Sequence, residues 1–509
     1  MNYSAPGYIF AFLPGVILAY QLTPHKYRWA AMLAADYLFF WFWSGKLVVY
    51  LLASTLIAWF FGSRLFEMKK APAGMDKALF KKKKHHIVVL AVCIELAILI
   101  VLKYTNFIGG NLASLFGLEW HMWKFAVPIG ISYYTLQSVS LLCDISAKKI
   151  RKKPTLACIA LYLSFFPTIV EGPISRYDEV AEQLYAGEPV QAQNIIHGYE
   201  RIIWGLYKKV FLADHLAPVV TKIFNNYNQY SYFAFFGAIV CTLQLYMDFS
   251  GTIDIAIGSA EIFGITLPEN FRQPFFAKNA GDFWHRWHIT LGTFFRDYIF
   301  YPVSLSKPVM KLTKKYREKK WNWPARYAGP MLALLLVWLA NGFWHGPYWT
   351  YIGYGLYYFV LMFIELMWEK PFEAWFERHH WNGKPLKIIR FIKLVIIVLI
   401  GEMFFRAATF SAGWTMLKYW FTSIRPGAMY ANLRFLGMDS WDWLTVSAGF
   451  IPVIIVSVLN EKQVALREKF DALPMWKQLA VIYAAILVIV IFGAYGPGYN
   501  AVAMMYAGF

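Results

Sequence analysis

Apolar stretches of membrane-spanning length recur along the chain, broken by short polar turns and by clusters of basic residues. The most uniform run from Ile87 to Leu102, Met331 to Phe343, Tyr354 to Met367, Ile388 to Ile400 and Leu479 to Phe492. Less uniform ones lie near Gly7 to Tyr20, Trp29 to Trp43, Leu47 to Phe61, Ala126 to Leu142, Leu156 to Val170, Tyr232 to Met247 and Val446 to Leu459. A hydrocarbon core about 30 Å thick takes roughly 20 apolar residues of helix, so the pattern predicts about eleven to thirteen transmembrane helices.

Two stretches, Ile202 to Pro218 and Asp248 to Tyr301, are too polar for ordinary spans and too apolar for exposed loops. Irregular backbone at membrane depth survives only where protein buries it or a cavity receives it. Re-entrant or interfacial helices around a central cavity are expected there, and function with them. Composition agrees with a lipid solvent: 59% of the 509 residues are hydrophobic, 16% are charged, and the mean hydropathy is +0.42. The fold class is all-α, a polytopic integral membrane protein forming one membrane domain over residues 1–509. The segment Met1 to Tyr20 lacks the basic start and small-residue cleavage site of a signal peptide, and reads as a retained membrane segment.

The net charge of +19 is concentrated at Arg64 to Lys84, Lys148 to Lys153 and Lys307 to Lys320. Short basic loops between spans face the cytoplasm. No nucleic-acid-binding motif accompanies the charge, so anionic lipid headgroups, not nucleic acid, are its expected partners. Cys93, Cys143, Cys158 and Cys241 sit in apolar stretches without C-x-x-C spacing and read as small buried hydrophobes.

Ionisable residues inside apolar segments are costly and usually face a bundle interior. Asp36, Glu95, Glu171, Asp248, Asp254, Glu261, His345, Glu365, Glu402 and Arg406 are of this kind, and Glu402 and Arg406, four apart, have the spacing of a helical ion pair. Two histidine neighbourhoods stand apart. In Asp282-Phe283-Trp284-His285-Arg286-Trp287-His288, the two histidines have the spacing of one helix face, but no cysteine or general-base glutamate accompanies them, so no metal is expected. In Asn341-Gly342-Phe343-Trp344-His345-Gly346-Pro347, His345 falls where glycine and proline stop a helix, deep in an apolar segment. Its imidazole suits a general base, and Asn341 one turn earlier is placed to bond the ring and fix its tautomer. Nucleophile-elbow, phosphate-loop and dinucleotide-fold motifs are missing, which removes support from hydrolase, ATPase and dehydrogenase readings.

Five motifs occur in order: Phe165-Phe166-Pro167-Thr168-Ile169-Val170-Glu171-Gly172-Pro173-Ile174-Ser175-Arg176-Tyr177; Met247-Asp248-Phe249-Ser250-Gly251; Pro268-Glu269-Asn270-Phe271; the tryptophan-rich Phe283 to His288 with Phe295-Arg296-Asp297-Tyr298; and Gly342 to Gly346. Together they resemble the membrane-bound O-acyltransferase family, in its bacterial alginate O-acetyltransferase-like branch, over roughly Val127 to Met367, with an echo in Phe404-Phe405-Arg406-Ala407. The resemblance implies an acyltransferase core over 127–367, with additional helices over 386–509. It implies His345 as catalytic histidine and His288 as the second histidine, orienting a reactant or stabilising the oxyanion. Proximity in sequence adds Trp287, Asn341, Arg296 and Asp297 as supporting residues, against the plainer readings of Trp287 as an interfacial aromatic anchor and of Arg296 and Asp297 as caps of an interfacial helix. It further implies an acetyl-CoA or acyl-carrier thioester as donor on the cytoplasmic side, no tightly bound cofactor and no metal. The acceptor would be a hydroxyl of an envelope polysaccharide or cell-wall polymer, the location the cytoplasmic membrane, and a separate extracytoplasmic acyltransferase protein the partner. Direct transfer and a transient acyl-enzyme both agree with it.

Two branches of that family share these motifs, one acetylating polymers and one transferring D-alanine to teichoic acid. Length and the carboxy-terminal helices, with Gly496-Pro497-Gly498-Tyr499 and Phe509, favour the first. A transporter passing an envelope precursor through the same cavity is the competing class, since intramembrane charges suit both.

Overall fold

The computed structural model describes residues 2–381 and 383–495; the Gly496 to Tyr499 motif and Phe509 lie outside them. Among the described residues the secondary structure is helical, with one isolated antiparallel bridge between Phe271 and Trp287. Among the described residues, seven helical stretches are long and apolar enough to cross a membrane: His25–Glu67, Lys77–Leu115, Ser231–Ile262, Asn322–His345, Trp349–Arg378, Ser440–Glu461 and Met475–Phe492. The described residues divide into two compact units, one of residues 2–202 with Thr252–Pro268, the other of Ile203–Gly251 with residues 269–381 and 383–495.

The lower count than the periodicity suggests has local causes. Arg28–Ser44 and Val48–Glu67 are separate helices within one of the seven stretches. Tyr8–Leu22 is apolar but short, and the helix expected over Ala126 to Leu142 begins only at Ile131. Gly130 precedes it with φ +70°, where an added Cβ would lie 1.9 Å from the Ile169 carbonyl oxygen. The span expected over Leu156 to Val170 is a helix only from Leu156 to Ser164. Pro167 has no N–H to continue it, and the Phe166 N–H donates instead to buried Asp36 at 2.8 Å. The Phe165 to Arg176 motif is therefore a buried non-helical segment, held also by Tyr3, whose hydroxyl donates to the Phe166 carbonyl at 2.6 Å.

Elsewhere in this first unit, Glu95 spends its charge on three-helix packing. From Lys77–Leu115 it accepts Ser54 Oγ of Val48–Glu67 at 2.8 Å and Ser138 Oγ of Ile131–Ser146 at 2.7 Å. Two basic clusters share one end of the unit: Lys84 Nζ donates to the Ser146 carbonyl at 2.9 Å, and Lys153 pairs with Glu67 at 2.6 Å. Cys93 is exposed on the outer face of its helix, against the expectation of burial.

The second unit is organised around the hairpin of Asn322–His345 and Trp349–Arg378. Its helices touch backbone to backbone, since a Cβ on Gly342 would lie 2.5 Å from the Tyr351 carbonyl oxygen and one on Gly355 would lie 2.3 Å from that of Trp338. Gly342→Ala is expected to force the hairpin apart and lower stability by about 1–3 kcal/mol, the usual penalty for overpacking, read as a lower melting temperature of the purified protein. Met475–Phe492 has no buried residue. It packs on the core only through partly buried side chains such as Val488 and Ile489, and the exposed remainder of so apolar a helix is at home against lipid tails.

Candidate active site

The helix Asn322–His345 stops where Gly346 and Pro347 predict, leaving His345 as its last residue. His345 is buried in an aromatic enclosure. Its ring centroid lies 5.1 Å from Trp344, 5.0 Å from Phe405, and 6.1 Å from both Tyr351 and Tyr354. Phe405 comes from Lys384–Arg406, which gives the Phe404-Phe405 echo a physical role as one wall of the histidine's site.

His288 also lies against Trp344, with centroids 5.6 Å apart. The two histidines are thus gathered around one tryptophan. His288 is not on a helix face: Ala280–Arg286 ends two residues earlier, and His288 adopts φ 48°, ψ 51° before the next helix starts at Ile289. His285 is exposed and His288 buried, so they do not share the helix face that their spacing allows. A non-glycine residue in the left-handed region costs of order 1 kcal/mol and persists only when its surroundings over-determine it.

Those surroundings are the third motif. Residues 270–272 run antiparallel to 286–289: the Arg272 N–H donates to the Arg286 carbonyl at 2.9 Å and the Ile289 N–H to that of Asn270 at 3.0 Å. The Asn270 Oδ1 accepts from the Thr290 N–H at 3.1 Å and the Thr290 hydroxyl at 3.0 Å, and lies 3.2 Å from His288 Nδ1. Phe249 covers the His288 ring edge-on at 4.9 Å. Burial holds the imidazole well below its ordinary pKa, so it is neutral near pH 7.

Both ends of the preceding helix are fixed as well. Its first N–H, on Ala280, donates to Glu365 at 2.9 Å, and Glu365 pairs with Lys393 at 2.7 Å. Near its end Arg286 bonds Asp282 at 3.0 Å and Glu461 at 2.7 Å.

The supporting residues divide. Trp287 is buried, stacked on Phe283 at 5.4 Å and against Phe271 at 5.2 Å, so it is core beside His288 and not an interfacial anchor. Asn341 is buried, yet it makes no hydrogen bond to His345: its Oδ1 has no partner among the described residues, and the bond expected from the i, i+4 spacing is not formed. Arg296 and Asp297 pair with each other at 2.9 Å on a π-helical turn, where Arg296 is half exposed. Glu402 does not pair with Arg406 but accepts the Tyr354 hydroxyl at 3.3 Å, behind one wall of the His345 enclosure. Asn270, Phe249, Trp344, Tyr354 and Phe405 were not singled out by sequence reasoning; the motif positions of the first three and the echo holding Phe405 were their only signal. Of the two polar stretches expected to line a cavity, the first contributes Phe211 and His215 to an open one of about 230 Å³, whose lining includes neither His288 nor His345.

Two buried histidines around one tryptophan place two groups able to accept or donate a proton on an all-helical membrane scaffold. The chain belongs to the membrane-bound O-acyltransferase family, whose model matches residues 31–316, more than half its length. It is an O-acyltransferase and a multi-pass membrane protein. His288 lies inside the matched region and His345 beyond it. A probable alginate O-acetylase of Azotobacter vinelandii is 29% identical over 426 residues, 83% of this chain and 78% of that protein. A match of that extent in a 509-residue chain takes in position 345 wherever it begins. A peptidoglycan O-acetyltransferase of Helicobacter pylori is 27% identical over 449 residues, covering 82% and 79%. A teichoic acid D-alanyltransferase of Bacillus subtilis is 33% identical over 283 residues, covering 52% and 65%.

Proposed function

We propose that this protein, in the cytoplasmic membrane, passes an acetyl group from a cytoplasmic thioester, acetyl-CoA or an acyl carrier, towards hydroxyls of an envelope or extracellular polysaccharide. The observation that carries the reading is buried His345 at a helix end, with both it and His288 in contact with Trp344. His345 is the general base. It takes the proton of the attacking hydroxyl as that oxygen bonds the thioester carbonyl carbon, the C–S bond breaks, and the proton is returned to the departing thiolate. His288 acts on the same reactants beside it, while Trp287 and Asn341 support the walls. Arg296 and Asp297 act from outside the histidine pair, as an ion pair that holds the helical turn following His288. The charge cluster of Lys307 to Lys320 suits a donor arriving from the cytoplasmic side. A separate extracytoplasmic protein completes delivery to the polymer.

Acetyl is favoured over D-alanyl because the similarity to polymer O-acetylating relatives extends over 82–83% of the chain, against 52% for the D-alanyl relative. Mass spectrometry of envelope polymers from a strain lacking the protein tests this. Loss of acetyl esters is the expected result; loss of D-alanyl esters with acetyl retained overturns the choice of acyl group, and an unchanged ester content overturns the reading.

A further inference from the structure

We infer that Asn270 is a positioning residue that holds His288 in the Nδ1–H form, making His288 Nε2 a hydrogen-bond acceptor for a hydroxyl-bearing ligand and not a donor to an oxyanion. The inference rests on the proposed acyl transfer and chooses between the two roles open to His288 within it.

The orientation of the Asn270 amide is settled by its neighbours. A backbone N–H can only donate, and that of Thr290 lies 3.1 Å from one side-chain atom of Asn270. That atom must be the oxygen, since the amide NH₂ would set donor against donor. The same oxygen is 3.2 Å from His288 Nδ1. Nδ1 must therefore carry a hydrogen. In a neutral imidazole the other nitrogen then has the lone pair. A lone pair cannot stabilise a negative oxygen but does accept from O–H, so His288 takes the hydroxyl of the acceptor, or of a water in its place, as its ligand.

The clip is built to last. Asn270 is fully buried, its carbonyl takes the Ile289 N–H at 3.0 Å, and the antiparallel bridge of Phe271 and Trp287 sets the register between the two segments. A shift by one residue would carry Asn270 away from both Thr290 and His288. The left-handed backbone of His288 is what turns its ring back towards Asn270 while the chain proceeds into Ile289–Phe295.

The test has two readouts. Nitrogen NMR of the full-length protein labelled at histidine, in lipid nanodiscs, reports the tautomer directly, with the His288 signals assigned by their loss in His288→Gln. A pyrrole-type Nδ1 with a pyridine-type Nε2 is expected; the reverse overturns the inference whatever the variants do. In activity, Asn270→Asp keeps the acceptor and is expected to retain acetyl transfer, whereas Asn270→Leu is expected to fall to within about threefold of His288→Ala, with the double variant no worse, as residues acting as a unit behave. Transfer by Asn270→Leu at the wild-type level, alongside an inactive His288→Ala, sinks the inference and leaves the proposed function standing. Wild-type transfer by His345→Ala sinks that function and leaves the tautomer result untouched.

Discussion

His345→Ala is expected to lose acetyl transfer by roughly 10²–10⁴-fold, the range that general acid–base catalysis contributes, which corresponds to about 3–5 kcal/mol of barrier. The loss should be chemical and not structural. His345 is the final residue of its helix, so no intrahelical turn depends on it, and its enclosure is closed by Trp344, Tyr351, Tyr354 and Phe405 from three different segments. Shortening the side chain leaves a small gap among rings that hold one another, Phe405 against Tyr351 at 4.9 Å and against Tyr354 at 5.1 Å. The measurement is the acetyl-ester content of envelope polymer in a deletion strain carrying the variant, with membrane abundance of the protein followed in parallel. Wild-type ester content at normal abundance would remove His345 from catalysis and overturn the proposed function.

Hydrophobic periodicity made the long spans legible, because burial in lipid demands one run of apolar residues per crossing. It was blind where a span is interrupted by a tertiary hydrogen bond. Nothing local to Leu156 to Val170 announces that the Phe166 N–H belongs to Asp36, 130 positions earlier. Both histidines were visible as titratable groups in aromatic, partly polar surroundings, and the helix stop after His345 was visible in Gly346-Pro347.

The errors at the site share one origin. Spacing rules describe neighbours on a single helix, whereas the side chains here are satisfied from elsewhere. Arg406 is the neighbour of Glu402 by the i, i+4 rule, but Tyr354, 48 positions away, is its partner. Asn341 has the spacing to reach His345, yet its Oδ1 makes no bond among the described residues and His345 is instead enclosed by aromatic rings from three helices. His288 gained its partner, Asn270, through a left-handed residue and an antiparallel clip, features that neither helical nor strand periodicity contains.

Lys209→Met is expected to be the most damaging single change away from the histidines, at about 3–5 kcal/mol of stability, the penalty for stripping one partner from a buried ion cluster. Lys209 is fully buried, 2.7 Å from Asp214 and 2.9 Å from Asp248. Burial, and after it the neighbouring Asp248, push the Asp214 carboxyl up to about 7 even though Lys209 pulls it down, so Lys209 is the cation that the two buried carboxyls share. The consequences reach the site through Asp248-Phe249-Ser250-Gly251. Asp248 binds Lys209, Ser250 accepts from Lys208 Nζ at 3.0 Å, and a Cβ on Gly251 would lie 2.8 Å from the Gly205 carbonyl oxygen. Phe249, between two of these anchors, is the residue that covers His288. Lys209→Met should therefore lower both the melting temperature in detergent and the residual transfer of whatever folds. Replacing all three members, as Lys209→Met with Asp214→Leu and Asp248→Leu, should restore folding, since no uncompensated charge is left buried. Recovery of folding without recovery of transfer would mean that the cluster's own geometry sets Phe249 against His288. Unchanged stability in Lys209→Met would mean that the two carboxyls find protons at no cost, and that the ion pairs do not hold this part of the unit together.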